Sequence, residues 1–291
     1  VTASRWRNWI GPVQRSSDQA TESLLARWLA TFDRPPVAGS WLPQGLHFCL
    51  CPPDAPTREL GEDGHPDRSR EGGSFLPPVP LERRMWAGSR ITFHAPLERE
   101  AAVTRTSRIL NITEKSGRSG LLVFAEIEHV TESGAAVRVH EVQTLVFRPA
   151  APRDAPLAPP PPPTAEPFAP EGWTRHRTLV PDERLLFRYS ALTFNTHRIH
   201  YDAPYAREVE RYRGLVVHGP LLASLLLQLA ADHCGDNALS EFTFQARSPA
   251  ICGDALHLAL ADEGAILTLR AVAQDGRVVV DASARRAQGK G

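Results

Sequence analysis

The sequence predicts an α+β protein in which one unit, a helix followed by an antiparallel meander, occurs twice. Three observations predict it. Leu221 to Ala231 is an almost unbroken apolar run whose Leu221, Leu222, Leu225, Leu226, Leu227 and Leu229 leave little of a helix circumference polar, so a sheet should wrap it. Two blocks, 90–148 and 241–284, read as β-rich runs separated by turn signals at Ser116-Gly117, Ser133-Gly134, Gly264 and Asp275-Gly276. The blocks also resemble each other: Ile91-Thr92-Phe93-His94-Ala95 matches Phe242-Thr243-Phe244-Gln245-Ala246, and Thr131 to Gly134 matches Ala273 to Gly276, as in an internal duplication.

Taken in order, residues 1–20 are polar with tryptophan and isoleucine anchors, an arm that could lie on another domain or subunit. Asp18 or Thr21 caps a short amphipathic helix from Glu22 to Ala30, stopped by Pro35-Pro36. An apolar segment over 39–50 is buried, and 52–80 is a long Pro-, Gly- and charge-rich loop, either a lid or a plain insertion. Strands are expected at 90–94, 101–111, 121–130 and 135–147. The proline-rich stretch 151–170, with Pro159 to Pro163, is a semi-rigid linker between a first unit over 1–150 and a second over 171–291. In the second, strands are expected at 241–245, 255–260, 266–273 and 278–284.

Composition narrows the function. A chain of 291 residues that is 42% hydrophobic can build real cores, and a formal net charge of zero gives no basic stripe for nucleic acid. Cys49, Cys51, Cys234 and Cys252 have neither disulfide-scaffold nor zinc spacing and read as reduced thiols, so no metal is expected. With no apolar leader around Trp6 to Trp9 and no run near the roughly 18 residues a membrane helix needs, a soluble cytoplasmic protein acting on a small molecule is expected.

Chemistry concentrates in Asn195-Thr196-His197-Arg198-Ile199-His200-Tyr201-Asp202, followed by Gly214 to Pro220 at the start of the apolar helix. Two imidazoles, an amide, a guanidinium and a carboxylate meet a helix N-terminus. Pro220 is preset for the first turn, and the N–H groups around Gly219 are donors for a developing negative charge. A catalytic side chain beside an oxyanion site follows.

These residues resemble a known family. Asn195-x-His197-x-Ile199-His200-x-Asp202 with Val216-Val217-His218-Gly219 is similar to the hydratase motif of MaoC-like (R)-specific enoyl-CoA hydratases. It is closer to hydroxyacyl-thioester dehydratase type 2 and its bacterial relatives, the itaconyl-CoA and mesaconyl-C4-CoA hydratases; the resemblance extends to Pro77 to Gly88. It implies a double hotdog fold with a catalytic second half and a non-catalytic first half. By position it implies that His200 is the base, that Asn195 stands where an aspartate is usual and orients water, and that the Gly219 amide binds the thioester oxygen. An amide cannot take a proton, which leaves the work of the base to His200. Arg198, Arg84, His218 and Tyr201 are the expected substrate contacts, with Arg83 a further candidate for a free carboxylate. The implied reaction is hydration of itaconyl-CoA or mesaconyl-C4-CoA to citramalyl-CoA, with no cofactor beyond the CoA of the substrate. A straight-chain hydratase or dehydratase, a hotdog thioesterase and a non-catalytic acyl-CoA-binding subunit stay open, as do monomer and homodimer.

Overall fold

The computed structural model describes residues 4–68, 74–117, 120–160 and 168–287. Within them lie strands β1 (Val13–Gln19), β2 (Arg83–Phe93), β3 (Ala102–Gly117), β4 (Gly120–Ser133) and β5 (Ala136–Arg148), then β6 (Arg175–Leu179), β7 (Leu239–Ala246), β8 (Leu256–Asp262), β9 (Ile266–Ala273) and β10 (Val278–Arg286). They form one antiparallel sheet in the order β1-β3-β4-β5-β2-β7-β10-β9-β8-β6. Counted outward from the β2/β7 seam the order is 2-5-4-3-1 on one side and 7-10-9-8-6 on the other, the same meander twice, related by an approximate dyad. At that seam Ile91 pairs directly with Phe242, so the two matching sequence stretches lie antiparallel against each other. This is the double hotdog arrangement.

The helices are α1 (Glu22–Thr31), α2 (Glu183–Thr193), α3 (Ala203–Glu208) and α4 (Gly219–Cys234). Every residue of α4 from Pro220 to Ala230 is buried, as its all-round apolar sequence requires, and it packs on β8, β9, β6 and β2. Each of its six buried leucines contributes about 2 kcal/mol of burial. Among the described residues the first half has no equivalent long helix. A 3-10 turn at Leu46–Cys49 stands in for it, and Trp6, Leu76, Val79 and Leu81 cover Ile109, Ile112, Val123, Ala125, Ile127, Leu145 and Phe147 instead.

Three expectations change. Residues 4–19 are not an arm on another domain or subunit: a 3-10 turn at Ser4–Trp9 leads into β1, which pairs with β3 of the same half, so each half has five strands rather than four. By its place after the edge strand, α1 corresponds to α2, against which it packs, and not to α4. The part of the expected linker up to residue 160 is docked: Ala158 exchanges backbone hydrogen bonds with Arg211 and Arg213, and Ala155 O accepts from the Arg211 guanidinium. Residues 161–167 of the linker, 69–73 of the long loop and 118–119 at the first hairpin lie outside the described residues. Among the described residues no helix is long and apolar enough to cross a membrane.

Candidate active site

The site is built where α2 ends. Phe194 turns the chain through a left-handed conformation, and the Asn195 N–H closes the helix on Ser190 O at 2.9 Å. Asn195 Oδ1 then accepts from the His197 N–H at 2.9 Å, an Asx turn that leads into a 3-10 turn at Arg198–His200. The amide oxygen is thereby committed to the turn, while among the described residues its Nδ2 donates to nothing.

His200 is buried, and its Nδ1–H donates to Val216 O at 2.7 Å. That bond fixes the tautomer and leaves Nε2 with a lone pair. Burial lowers the His200 pKa to about 4, against the opposing pull of the Val216 carbonyl, so the ring is neutral at physiological pH. The His218 ring stacks beneath it with centroids 3.6 Å apart and 19° between planes. His218 is 0% exposed, and its Nε2 lies 2.8 Å from Ser190 Oγ. It therefore positions the His200 ring from behind and is not open to a substrate, a correction to the expected contact.

Helices α1, α2 and α3 are capped by side chains, Thr21 Oγ1 to the Leu24 N–H, Asp182 to Leu185 and Asp202 to Tyr205. Helix α4 is not: His218 occupies the cap without a side-chain bond, and among the described residues the Gly219 N–H has no partner. A Cβ built on Gly219 would meet Trp86 Cβ and O only at 3.8 Å, ordinary contact, and the backbone there does not require glycine. Neither packing nor conformation accounts for the missing side chain.

Two residues that the sequence did not single out complete the cluster. The loop expected as a lid or insertion docks its tip against the motif: the Arg198 N–H donates to Asp63 O (2.9 Å), Thr196 Oγ1 to Gly64 O (2.5 Å) and Arg198 Nη1 to Glu62 O (3.1 Å). This brings the His65 ring to 4.1 Å from that of His197, which lies 5.3 Å from His200. Asp63 takes the His65 N–H on Oδ1 at 2.9 Å and contacts His65 Nδ1 through Oδ2 at 2.8 Å. Gly64, at φ +85°, has no room for a side chain, since a Cβ would fall 1.9 Å from Thr196 O. Gly64→Ala should displace the loop tip and raise KM at least about tenfold while the melting temperature falls only modestly; an unchanged KM would show that the docking is idle.

Arg84 enters from β2. It pairs across the sheet with the fully buried Phe147 and so faces inward. Among the described residues it makes no hydrogen bond or ion pair. Burial lowers its pKa to about 10, with Asp63 opposing, and its charge in turn acts on Asp63, His65 and His197. Arg83, its neighbour, is buried in an ion pair with Glu210 that ties β2 to the second half and is not available.

The other expected contacts fall away. Arg198 holds Asp202 through Nε at 3.0 Å and Nη2 at 2.8 Å and lies over the Tyr205 ring, a structural clamp and no receptor for substrate. Tyr201 is 50% exposed and among the described residues makes no side-chain hydrogen bond. Asp63, His65 and His197 offer ligand atoms within 4.8 Å of one another, a grouping able in principle to hold a metal ion. The Arg84 charge beside it and the use of both Asp63 oxygens by His65 oppose a cation there.

Comparison with known proteins gives the family. Residues 45–252 match the family described as hydroxyacyl-thioester dehydratase type 2. The chain is 40% identical over 286 residues to the mesaconyl-C(4)-CoA hydratase of Chloroflexus aurantiacus, covering 97% of this chain and 98% of that protein. It is 25% identical over 249 residues to the mitochondrial hydroxyacyl-thioester dehydratase type 2 of Schizosaccharomyces pombe, covering 77% and 79%. A MaoC-like dehydratase from Phytophthora capsici shares the fold, with TM-score 0.69 at 13% identity over 95% of each chain. With the family matched from Gly45 through the motif and the α4 helix to Cys252, the protein belongs to the hydroxyacyl-thioester dehydratase type 2 family and is a hydro-lyase.

Proposed function

We propose that the protein adds water to a short α,β-unsaturated acyl-CoA bearing a second carboxylate, of the mesaconyl-C4-CoA type, to give citramalyl-CoA. The observation that carries this reading is Arg84: a half-buried, inward-facing guanidinium with no hydrogen-bond or ion-pair partner among the described residues, whose charge acts on the imidazoles of His65 and His197. A partly buried guanidinium that no protein carboxylate neutralises can meet an incoming anion as a charge-assisted pair. The β-carbon of this substrate, where water must attack, itself carries the free carboxylate.

In the proposed reaction, Asn195 Nδ2 donates to the oxygen of a water whose proton points at His200 Nε2. Attack forms the C–O bond at the β-carbon while His200 takes that proton. The alkene electrons move onto the thioester oxygen, which the Gly219 N–H stabilises. The imidazolium, strongly acidic because the ring is buried, returns its proton to the α-carbon as the enolate collapses. Atoms and charge balance within one turnover, and no resident cofactor is asked for.

The test is a panel of itaconyl-, mesaconyl-C4- and crotonyl-CoA, following the conjugated-thioester absorbance with mass spectrometry of products. Mesaconyl-C4-CoA should be the best substrate. Arg84→Met should lower its kcat/KM by roughly a hundredfold, the value of a charge-assisted pair in a desolvated site, with little change for crotonyl-CoA. Equal losses on both, or free CoA as the product, would remove the reading.

A further inference from the structure

We propose that Arg68, carried in by the loop, is the second arm of the receptor for the acyl carboxylate, standing beside Arg84 with its Nη1 left to donate to the substrate. This rests on the reading of Arg84 given above. Two contacts place the Arg68 guanidinium. Its Nη2 donates to Leu81 O at 3.1 Å, and its Cζ lies 4.8 Å from the centre of the Phe147 ring. The two contacts bracket Arg84. Leu81 stands three residues before it at the entry to β2, and Phe147 is its direct partner across the β2/β5 ladder, on the same face of the sheet. One fully buried phenylalanine therefore has a guanidinium from the loop above its ring and a second from the strand beside it.

The third observation is what remains of Arg68. The face of the guanidinium and Nη2 hold the loop down, but Nη1 is buried and has no hydrogen-bond partner. An arginine kept only for packing gains nothing from a buried donor left unpaired, which costs stability. The neighbouring charge adds to that cost: burial lowers the pKa of Arg68 and of Arg84, and the Arg68 charge lowers that of Arg84 further. A single anion between the two relieves both, and a planar carboxylate has two oxygens, one for each guanidinium. The loop reaches this place fixed in position. It is fastened to the motif at Glu62, Asp63 and Gly64 by three hydrogen bonds from Thr196 and Arg198, and His65, three residues before Arg68, lies with its ring 4.1 Å from that of His197. The loop thus delivers Arg68 directly after the part of it that meets the imidazole cluster.

The experiment compares mesaconyl-C4-CoA with 3-methylcrotonyl-CoA, in which a methyl replaces the carboxylate. The full-length protein is used unaltered and as Arg68→Met, Arg68→Lys, Arg84→Met and the double variant Arg68→Met with Arg84→Met. Arg68→Met should lower kcat/KM for the carboxylated thioester at least about tenfold, mainly through KM, and leave the methyl analogue within about threefold. The double variant should lose clearly less than the product of the two single losses, because both arms hold one carboxylate. Arg68→Lys keeps a cation over Phe147 but not the fork that places Nη1, and should still lose at least about fivefold on the carboxylated thioester alone. It keeps the proposal testable even if Arg68→Met does not fold. An unchanged kcat/KM in either Arg68 variant, equal losses on both thioesters, or single losses that simply multiply would overturn the second arm. Hydration of neither thioester by the unaltered protein, or no selective loss in Arg84→Met, would instead overturn the proposed function, so the two failures are distinct.

Discussion

Replacing His200 by alanine is expected to lower hydration turnover at least about a hundredfold while the circular dichroism spectrum stays that of the unaltered chain. The reason is geometric. Val216 O fixes the Nδ1 proton and so leaves the lone pair of the ring on Nε2. His218 lies in van der Waals contact but is fully buried with Nε2 at Ser190, and Asn195 has an amide that can orient water without accepting its proton. The ring acts as a base only when neutral. With its folded pKa near 4, kcat/KM should be level from pH 8 to about 6, showing no titration near the ordinary histidine value of about 6.5. A near-normal rate in the variant would remove His200 as the base.

The second large effect is on stability in mild acid. Burial lowers the pKa of His47 and His129 to about 3 and of His65 and His200 to about 4, and it holds His197 and His218 well below the ordinary histidine value. Because the unfolded chain takes up these protons from about pH 6.5 downward and the folded chain does not, stability is full above 6.5 and is lost as pH falls toward 4. Each ring contributes about 1.4 kcal/mol per pH unit over that window, so four of them remove roughly 8 kcal/mol by pH 5. That is comparable to the whole stability of a typical domain, about 5–15 kcal/mol. Glu141 and Glu210, raised by burial, work in the opposite direction but are outnumbered. Tryptophan fluorescence and circular dichroism from pH 7.5 to 4 should therefore show cooperative unfolding near pH 5. A structure unchanged at pH 4.5 would contradict it.

What could be read from the sequence depended on whether local pattern or distant contact determined the outcome. The all-round apolar run of α4 could only be a buried helix, and turns such as Ser133-Gly134 fixed the hairpins. There Gly134 and Ala135, both at positive φ, make the two-residue loop between β4 and β5. The edge strands β1 and β6 escaped notice because they lie mostly exposed at the sheet margins, where no alternation of apolar residues is needed. Asp63 and His65 were unreadable for a different reason. They join the motif from more than 130 residues away, inside a stretch with no periodicity, and their only trace was the turn punctuation of Gly61-Glu62-Asp63-Gly64-His65-Pro66. The fate of Arg198 was legible after all: Asp202 stands four residues on, a spacing at which opposite charges meet across one helical turn.

The mirrored sheet has a consequence for how such a chain can be taken apart. The imidazole that would accept a proton comes from beyond residue 170, and the guanidinium that would hold the acyl group comes from before residue 150, on the two sides of the β2/β7 boundary. Two polypeptides synthesised separately from the same halves would each carry part of one workplace. Only their reassociation across that shared strand edge would bring proton acceptor and anion receptor back onto a single molecule of thioester.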